Sequence, residues 1–257
     1  MLGAIAGDII GSVYEWNNIK TTEFPLFQKH SRFTDDSVLS VAVADSILND
    51  KSFAESYKHY YALYPTAGYG GRFTQWACSD SYEPYNSFGN GSAMRVASIG
   101  FACNQWEKVL LLAQESAIAT HNHPEGIKGA QAVAGAIFLA RQGESKRSIK
   151  KFIQKNFHYD LNQSLDKIRP HYKFDVTCQG SVPQAIRAFL ESKNYEDAIR
   201  KAVSIGGDSD TIACISGGIA QAFYGEVPPA ISKQSLAILD KRLRNIVQTF
   251  NQTFCLK

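Results

Sequence analysis

Apolar residues recur at helical spacing along almost the whole chain, and that periodicity excludes most architectures other than a helical one. Val38, Leu39, Val41, Ala42 and Ile47 form a stripe behind Thr34-Asp35-Asp36, which reads as a capping residue followed by first-turn carboxylates. Ser92 to Cys103 reads as a short helix behind a glycine-rich turn. Trp106, Val109, Leu110, Ala113 and Ala117 mark the next helix, and Pro124 suits the first turn of the one after, through Ile127, Ala130, Val133, Ala134, Ile137 and Phe138. Ala185, Ile186, Phe189 and Leu190 form a further stripe, as do Ile199, Ala202 and Val203. Thr211 to Tyr224 is strongly apolar and stops at Gly225 before Pro228-Pro229. Leu236, Leu239, Leu243, Ile246, Val247 and Phe250 predict one final amphipathic helix. Alternating β-branched runs are absent. The pattern predicts an all-α fold, a compact single-domain, multi-helix orthogonal bundle of roughly ten helices over residues 1–257. Residues 157–176, polar and holding Pro170, are expected to form a surface excursion.

Composition narrows the function classes. With 44% apolar residues in 257, the chain can bury a large core, which excludes general disorder. The net charge is only +3 and no dense Lys/Arg run occurs, so a nucleic-acid footprint is not indicated. Uninterrupted apolar runs reach four or five residues, far short of the ~18 of a membrane span. Cys78, Cys103, Cys178, Cys214 and Cys255 are widely spaced with no CxxC, and Met1 to Asp8 shows no basic leader. Reduced thiols and a cytoplasmic location are expected.

Two acidic clusters carry the chemistry. Thr34-Asp35-Asp36 and Asp208-Ser209-Asp210-Thr211 lie about 170 residues apart, each at the entry to a helix. Each offers two carboxylates and a threonine hydroxyl, with no Cys or suitably spaced His beside them. If the clusters meet, four negative charges converge and need cations. Oxygen-only ligation favours Mg²⁺, Mn²⁺ or Ca²⁺ over Zn²⁺. Taken singly, Thr34–Asp36 reads more readily as an N-cap with dipole-favoured acids than Asp208–Thr211 does. Gly206-Gly207 directly before the second cluster points to close backbone approach instead.

Three further elements accompany them. In Gly7-Asp8-Ile9-Ile10-Gly11, two glycines four apart inside a helical stretch imply tight packing, with Asp8 as a supporting carboxylate and Glu15 near the helix end. Asn86-Ser87-Phe88-Gly89-Asn90-Gly91-Ser92 leads small residues into a helix, an arrangement suited to phosphate or to an ordinary turn. Tyr69-Gly70-Gly71-Arg72 is a second glycine turn. His121-Asn122-His123 lacks a third nitrogen or sulfur ligand, which argues against zinc.

Taken in order, GDIIGSVYE, FTDDS, GYGG, SFGNGSAMRV, THNHPEG and GGDSDTIACISGGIAQAFYG resemble the ADP-ribosylglycohydrolases over residues 3–224. The resemblance implies an all-α enzyme that binds two Mg²⁺ or Mn²⁺ ions and cleaves the glycosidic bond between ADP-ribose and an acceptor. It implies Thr34, Asp35, Asp36, Asp208, Asp210 and Thr211 as metal ligands. Glu15 matches a mobile glutamate that caps the metals in serine-specific members. Ser87, Phe88, Asn90 and Gly91 match the turn holding the pyrophosphate and adenine side, to which the starting amides of Gly89–Ser92 belong. Gly70 matches a glycine near the distal ribose, and His121 a ligand contact. Ser37 stands where many members have Thr, and Asn86 where some have Gly.

The expected activity is therefore metal-dependent hydrolysis that releases ADP-ribose, with Glu15, or else Asp36 or Asp210, taking the water's proton; Glu15 is preferred as the catalytic base and the two aspartates mainly as ligands. The alternatives are a non-catalytic ADP-ribose-binding module and a metal-dependent nucleoside-diphosphate phosphohydrolase. The Glu15 match leans towards a serine or O-linked acceptor. The sequence gives no oligomeric state.

Overall fold

A computed structural model describes residues 1–254. Cys255 lies outside the described residues. The chain opens with α1 (Leu2–Gly11), and a loop then leads to α2 (Asp35–Asn49), α3 (Phe53–Leu63) and α4 (Gly71–Cys78). Two short helices follow, α5 (Gly91–Met94) and α6 (Ala97–Ala102), then α7 (Trp106–Ile118), α8 (Pro124–Arg141) and α9 (Lys146–Phe157). The one-turn α10 (Leu165–Ile168) precedes α11 (Cys178–Glu191), α12 (Tyr195–Ser204) and α13 (Ser209–Tyr224). The described chain ends with α14 (Pro229–Ile238) and α15 (Lys241–Thr253). Among the described residues the sole extended pairing is one bridge between Gly89 and Thr177. The fold is all-α, as the periodicity predicts.

Local chemistry sets most helix starts. Thr34 accepts from the Asp36 amide at α2, Ser145 from Ser148 at α9, Thr177 from Gly180 at α11, and Asn194 from Asp197 at α12. Pro124 occupies the first turn of α8, and Gly225 closes α13 in the left-handed region at φ 84°.

At the centre, α1 crosses α13 with almost no side-chain spacer. A Cβ on Gly7 would overlap the Ala213 carbonyl, and one on Gly11 would lie 2.6 Å from the Asp210 Cα. This closeness sets Asp8 beside the start of α13. Both helices are buried along nearly their whole length, so their apolar residues form the middle of one continuous core.

Four expectations need correction. The described residues form fifteen helical segments rather than roughly ten: two periodic stretches break, and Phe53–Leu63, Gly71–Cys78, Lys146–Phe157 and Leu165–Ile168 are helical where the periodicity assigns no helix. Ser92–Cys103 splits at Arg95 and Val96, whose ψ angles of −5° and 6° form a turn between α5 and α6. The final stripe splits too: Leu239 is extended, and Asp240 caps α15 by accepting from the Leu243 amide at 2.9 Å. Residues 157–176 are not merely a surface excursion. They bury Tyr159, Leu161 and Leu165 and bring Phe174 and Val176 to the cavity described next.

Candidate active site

The two acidic clusters meet. Carboxylate oxygens of Asp8, Asp36 and Asp210 lie within 4.8 Å of one another, as do those of Glu15, Asp208 and Asp210. The Thr211 hydroxyl donates to Asp36 Oδ2 at 3.3 Å, a direct bond between the clusters. Asp36, Asp208 and Asp210 are buried, while Asp35 is half-buried with an oxygen beside Gly68. The Thr34 hydroxyl is shared between Asp8 Oδ1 at 2.7 Å and Asp36 Oδ2 at 3.3 Å. These groups sit at the foot of a cavity of ≈ 500 Å³.

Burial and mutual repulsion dominate the electrostatics. Burial pushes Asp35, Asp36 and Asp210 well above the usual carboxylate range, and neighbouring carboxylates add to it. Asp208 is raised to about 6 by burial, against hydrogen bonds from Asp210 and Asn90. Glu15 is raised to about 7, first by burial and then by the Asp210 charge, with Arg32 pulling the other way. None of the ion pairs among the described residues involves these acids. Asp36 Oδ1 is buried with no hydrogen-bond partner. Clustered hard oxygens and an orphaned carboxylate oxygen fit divalent cations, so the site can hold metal ions.

The second cluster is shaped by two glycines. Gly206 and Gly207 both have φ 73°, and a Cβ on Gly207 would overlap the Tyr172 ring. Asn18 fastens the Glu15 turn to this loop. Its Nδ2 donates to the carbonyls of Tyr14 (2.7 Å), Glu15 (2.8 Å) and Gly207 (3.0 Å), and its Oδ1 accepts from the Gly207 amide at 2.6 Å. Trp16 stacks on Phe174 with centroids 5.3 Å apart, and both line the cavity mouth.

The opposite wall is the turn of residues 86–92. Asn86 adopts φ 52°, and the Gly89 amide donates to Ser87 Oγ at 3.1 Å. The bridge to residues 176–178 holds the turn: the Asn90 amide donates to the Val176 carbonyl at 2.8 Å and the Cys178 amide to the Phe88 carbonyl at 2.9 Å. Ser87, Gly89, Asn90, Gly91, His121 and Gly70 line the cavity. Asn90 turns its amide to Asp208 Oδ2 at 2.7 Å, which joins this wall to the acids.

Three expected site residues stand elsewhere. Phe88 is not part of the cavity lining; it is exposed and packs on His123 at 5.3 Å. The Ser92 hydroxyl is turned to the Gly126 carbonyl at 2.8 Å. Thr34 lies behind the lining, between Asp8 and Asp36. Trp16, Tyr85, Arg95, Phe174 and Val176 also line the cavity; the first three adjoin or end motifs already singled out but carry no pattern of their own, and Phe174 and Val176 come from a segment with no motif.

The family model described as ADP-ribosylglycohydrolase matches residues 1–254. The chain belongs to the ADP-ribosylglycohydrolase family. ADP-ribosylhydrolase ARH3 of Gallus gallus is 26% identical, with 99% of this chain and 92% of the relative covered. The Homo sapiens ARH3 is 28% identical over 88% of this chain and 84% of its own. ADP-ribosylarginine hydrolase Tri1 of Pseudomonas putida (strain GB-1) is 23% identical, covering 88% and 69%. A solved structure titled ADP-ribosylglycohydrolase-related protein complex shares the fold, with TM-score 0.70 at 22% identity over 98% of this chain and 96% of that one. As an ADP-ribosylglycohydrolase, the chain is an enzyme for glycosidic bonds of ADP-ribose. No helix of the described residues is long and apolar enough to cross a membrane.

Proposed function

We propose that this ADP-ribosylglycohydrolase is a single-domain, metal-dependent hydrolase of the cytoplasm that releases ADP-ribose from an O-linked, serine-type adduct. The observation that carries the reading is the convergence of the DD and DxD acids, with Glu15, at the foot of one cavity. Thr34, Asp35, Asp36, Asp208, Asp210 and Thr211 would hold two divalent cations, Mg²⁺ or Mn²⁺. Bound there, such ions supply Lewis-acid polarisation of oxygens.

The chain's own groups do the rest. Glu15, raised to about 7, is suited to take a proton from the attacking water and return one later. Asp36 and Asp210 serve chiefly as ligands. The wall of Ser87, Gly89, Asn90 and Gly91 would anchor the diphosphate, with the Gly91 and Ser92 amides turned to its oxygens. Gly70, where even an added Cβ would meet no atom within 4 Å, leaves room for the distal ribose. Phe88, exposed next to His123, would meet the adenine only outside the cavity proper. Holding the sugar as its anomeric carbon becomes oxocarbenium-like contributes several kcal/mol, on the order of the positional terms known for bound reactants.

The test is a panel of ADP-ribosyl-serine and ADP-ribosyl-arginine peptides, scored by the released product. Intact ADP-ribose from the serine peptide, lost in chelator and restored by Mg²⁺ or Mn²⁺, is expected. Release of AMP or phosphate would indicate a phosphohydrolase, and binding without turnover a non-catalytic module. Cleavage confined to the arginine peptide would refute the acceptor assignment alone.

A further inference from the structure

Arg95 heads the largest fully buried side chains and has no carboxylate partner among the described residues. Its guanidinium lies 4.0 Å over the Tyr57 ring. Nη2 donates to the Ser116 carbonyl at 2.8 Å and to Thr120 Oγ1 at 2.9 Å. Those bonds use both Nη2 hydrogens, and a guanidinium never accepts. Thr120 is therefore the acceptor towards Arg95 and keeps its own hydrogen to give. The remaining partner of that hydroxyl is His121 Nδ1 at 2.7 Å.

The Thr120 hydroxyl could accept twice, from Arg95 and from an Nδ1–H, but its own hydrogen would then be buried with no acceptor, since His121 Nδ1 is the sole acceptor it reaches among the described residues. The direction of the chain is thereby fixed. Nδ1 accepts, so in the neutral ring the hydrogen sits on Nε2. Burial, and then the Arg95 and Arg72 charges, hold the imidazole well below its usual range and keep it neutral. Nε2 faces the turn on the cavity wall: a Cβ on Gly91 would lie 3.4 Å from it, and one on Gly89 3.6 Å. Arg95 Nε and Nη1 have no hydrogen-bond partners, which leaves a buried positive charge in the cavity lining beside that turn.

We propose that Arg95 and Thr120 are positioning residues that fix His121 as an Nε2–H donor to an anionic oxygen of the ligand's diphosphate. The ligand in this statement rests on the proposed function, whereas the tautomer does not.

Nitrogen-15 spectra of histidine-labelled protein, with His121 assigned through His121→Gln, read the tautomer directly. An unprotonated Nδ1 and a protonated Nε2 are expected in the free protein. Thr120→Val keeps the side-chain shape but removes the hydroxyl. It should abolish that preference and weaken ADP-ribose about tenfold in calorimetry, the worth of one charge-assisted hydrogen bond. Thr120→Ser should preserve both. A protonated Nδ1 in the wild type overturns the proposal, and that result needs no variant to fold. An unchanged tautomer and affinity in Thr120→Val overturns it as well. If the wild type binds no ADP-ribose, the ligand half falls together with the proposed function, and the spectrum shows whether the tautomer half stands.

Discussion

Asp8 shows how much one side chain can fix. Fully buried, its Oδ2 accepts from the amides of Thr34 (3.0 Å) and Ser37 (3.1 Å) and from the Ser37 hydroxyl, while Oδ1 accepts from Thr34 Oγ1. The carboxylate thereby ties α1 to the cap of α2, where Asp35 and Asp36 begin. Asp8→Ala strands two buried amides and a hydroxyl and should cost about 3 kcal/mol or more in urea denaturation. Asp8→Asn keeps one oxygen for the three donors at Oδ2 and turns its NH₂ to Thr34 Oγ1, whose hydrogen can go to Asp36. It should lose less than half as much, and equal losses would disprove this account. Glu15→Gln separates chemistry from binding: turnover should vanish while ADP-ribose affinity persists, and retained turnover would remove Glu15 from the mechanism. Much of this was legible in the sequence, because a threonine and paired carboxylates at a helix entry carry their chemistry in the motif itself. Asn18, Arg95 and Trp16 were not legible, since their roles come from Gly207, Thr120 and Phe174, which no local pattern links to them.

Among the elements, the crossing of α1 and α13 sets the site, because it brings Asp8, Glu15 and the DxD loop together. The glycine spacing was legible as tight packing, but the partner helix was not, since periodicity identifies a buried face without naming what covers it. The splits at Arg95 and Leu239 escaped for a related reason: the apolar stripe continues across each break. Gly7→Ala should gain ~1 kcal/mol of helix propensity and lose more to overlap with the Ala213 carbonyl, since overpacking costs 1–3 kcal/mol or more, on the order of a large core defect. A net drop in denaturation midpoint is expected, and a rise would mean that α1 can move away freely. Asn18→Ala tests the other join. It removes the bonds holding the Glu15 turn to Gly207, so kcat should fall about tenfold or more with little change in ADP-ribose affinity. An equal loss in both would mean that the turn supports the ligand wall instead.

Across the whole molecule, the helices bury a set of like charges that the chain itself leaves unneutralised, and this makes stability depend on acid and metal in opposite ways. Asp8, Asp35, Asp36, Asp208, Asp210 and Glu15 all hold protons more tightly folded than unfolded. Between the ordinary carboxylate range and those raised values, the folded state binds more protons, so stability rises as pH falls. Glu15 at about 7 and Asp208 at about 6 carry that window at least to neutrality, and Asp35, Asp36 and Asp210 are raised in the same direction. His121 works against this trend, because its folded value lies below 6.5 and stability is lost as pH falls through 6.5. The buried amino terminus of Met1, held well below 8.0 by burial, acts in the same sense as His121, so two bases stand against six carboxyls, and a net charge of +3 adds little global repulsion to either side. Metal-free protein in excess chelator should therefore melt higher at about pH 6 than at about pH 8. Saturating Mg²⁺ or Mn²⁺ binds the ionised carboxylates, so it should raise the melting temperature most at the alkaline end and flatten or invert the trend. Melting curves over that range, with chelator and with each ion, decide the matter. A chelated protein that grows steadily more stable towards alkaline pH would show that the acids do not burden the folded state, and the case for cations at the foot of the cavity would lose its energetic basis.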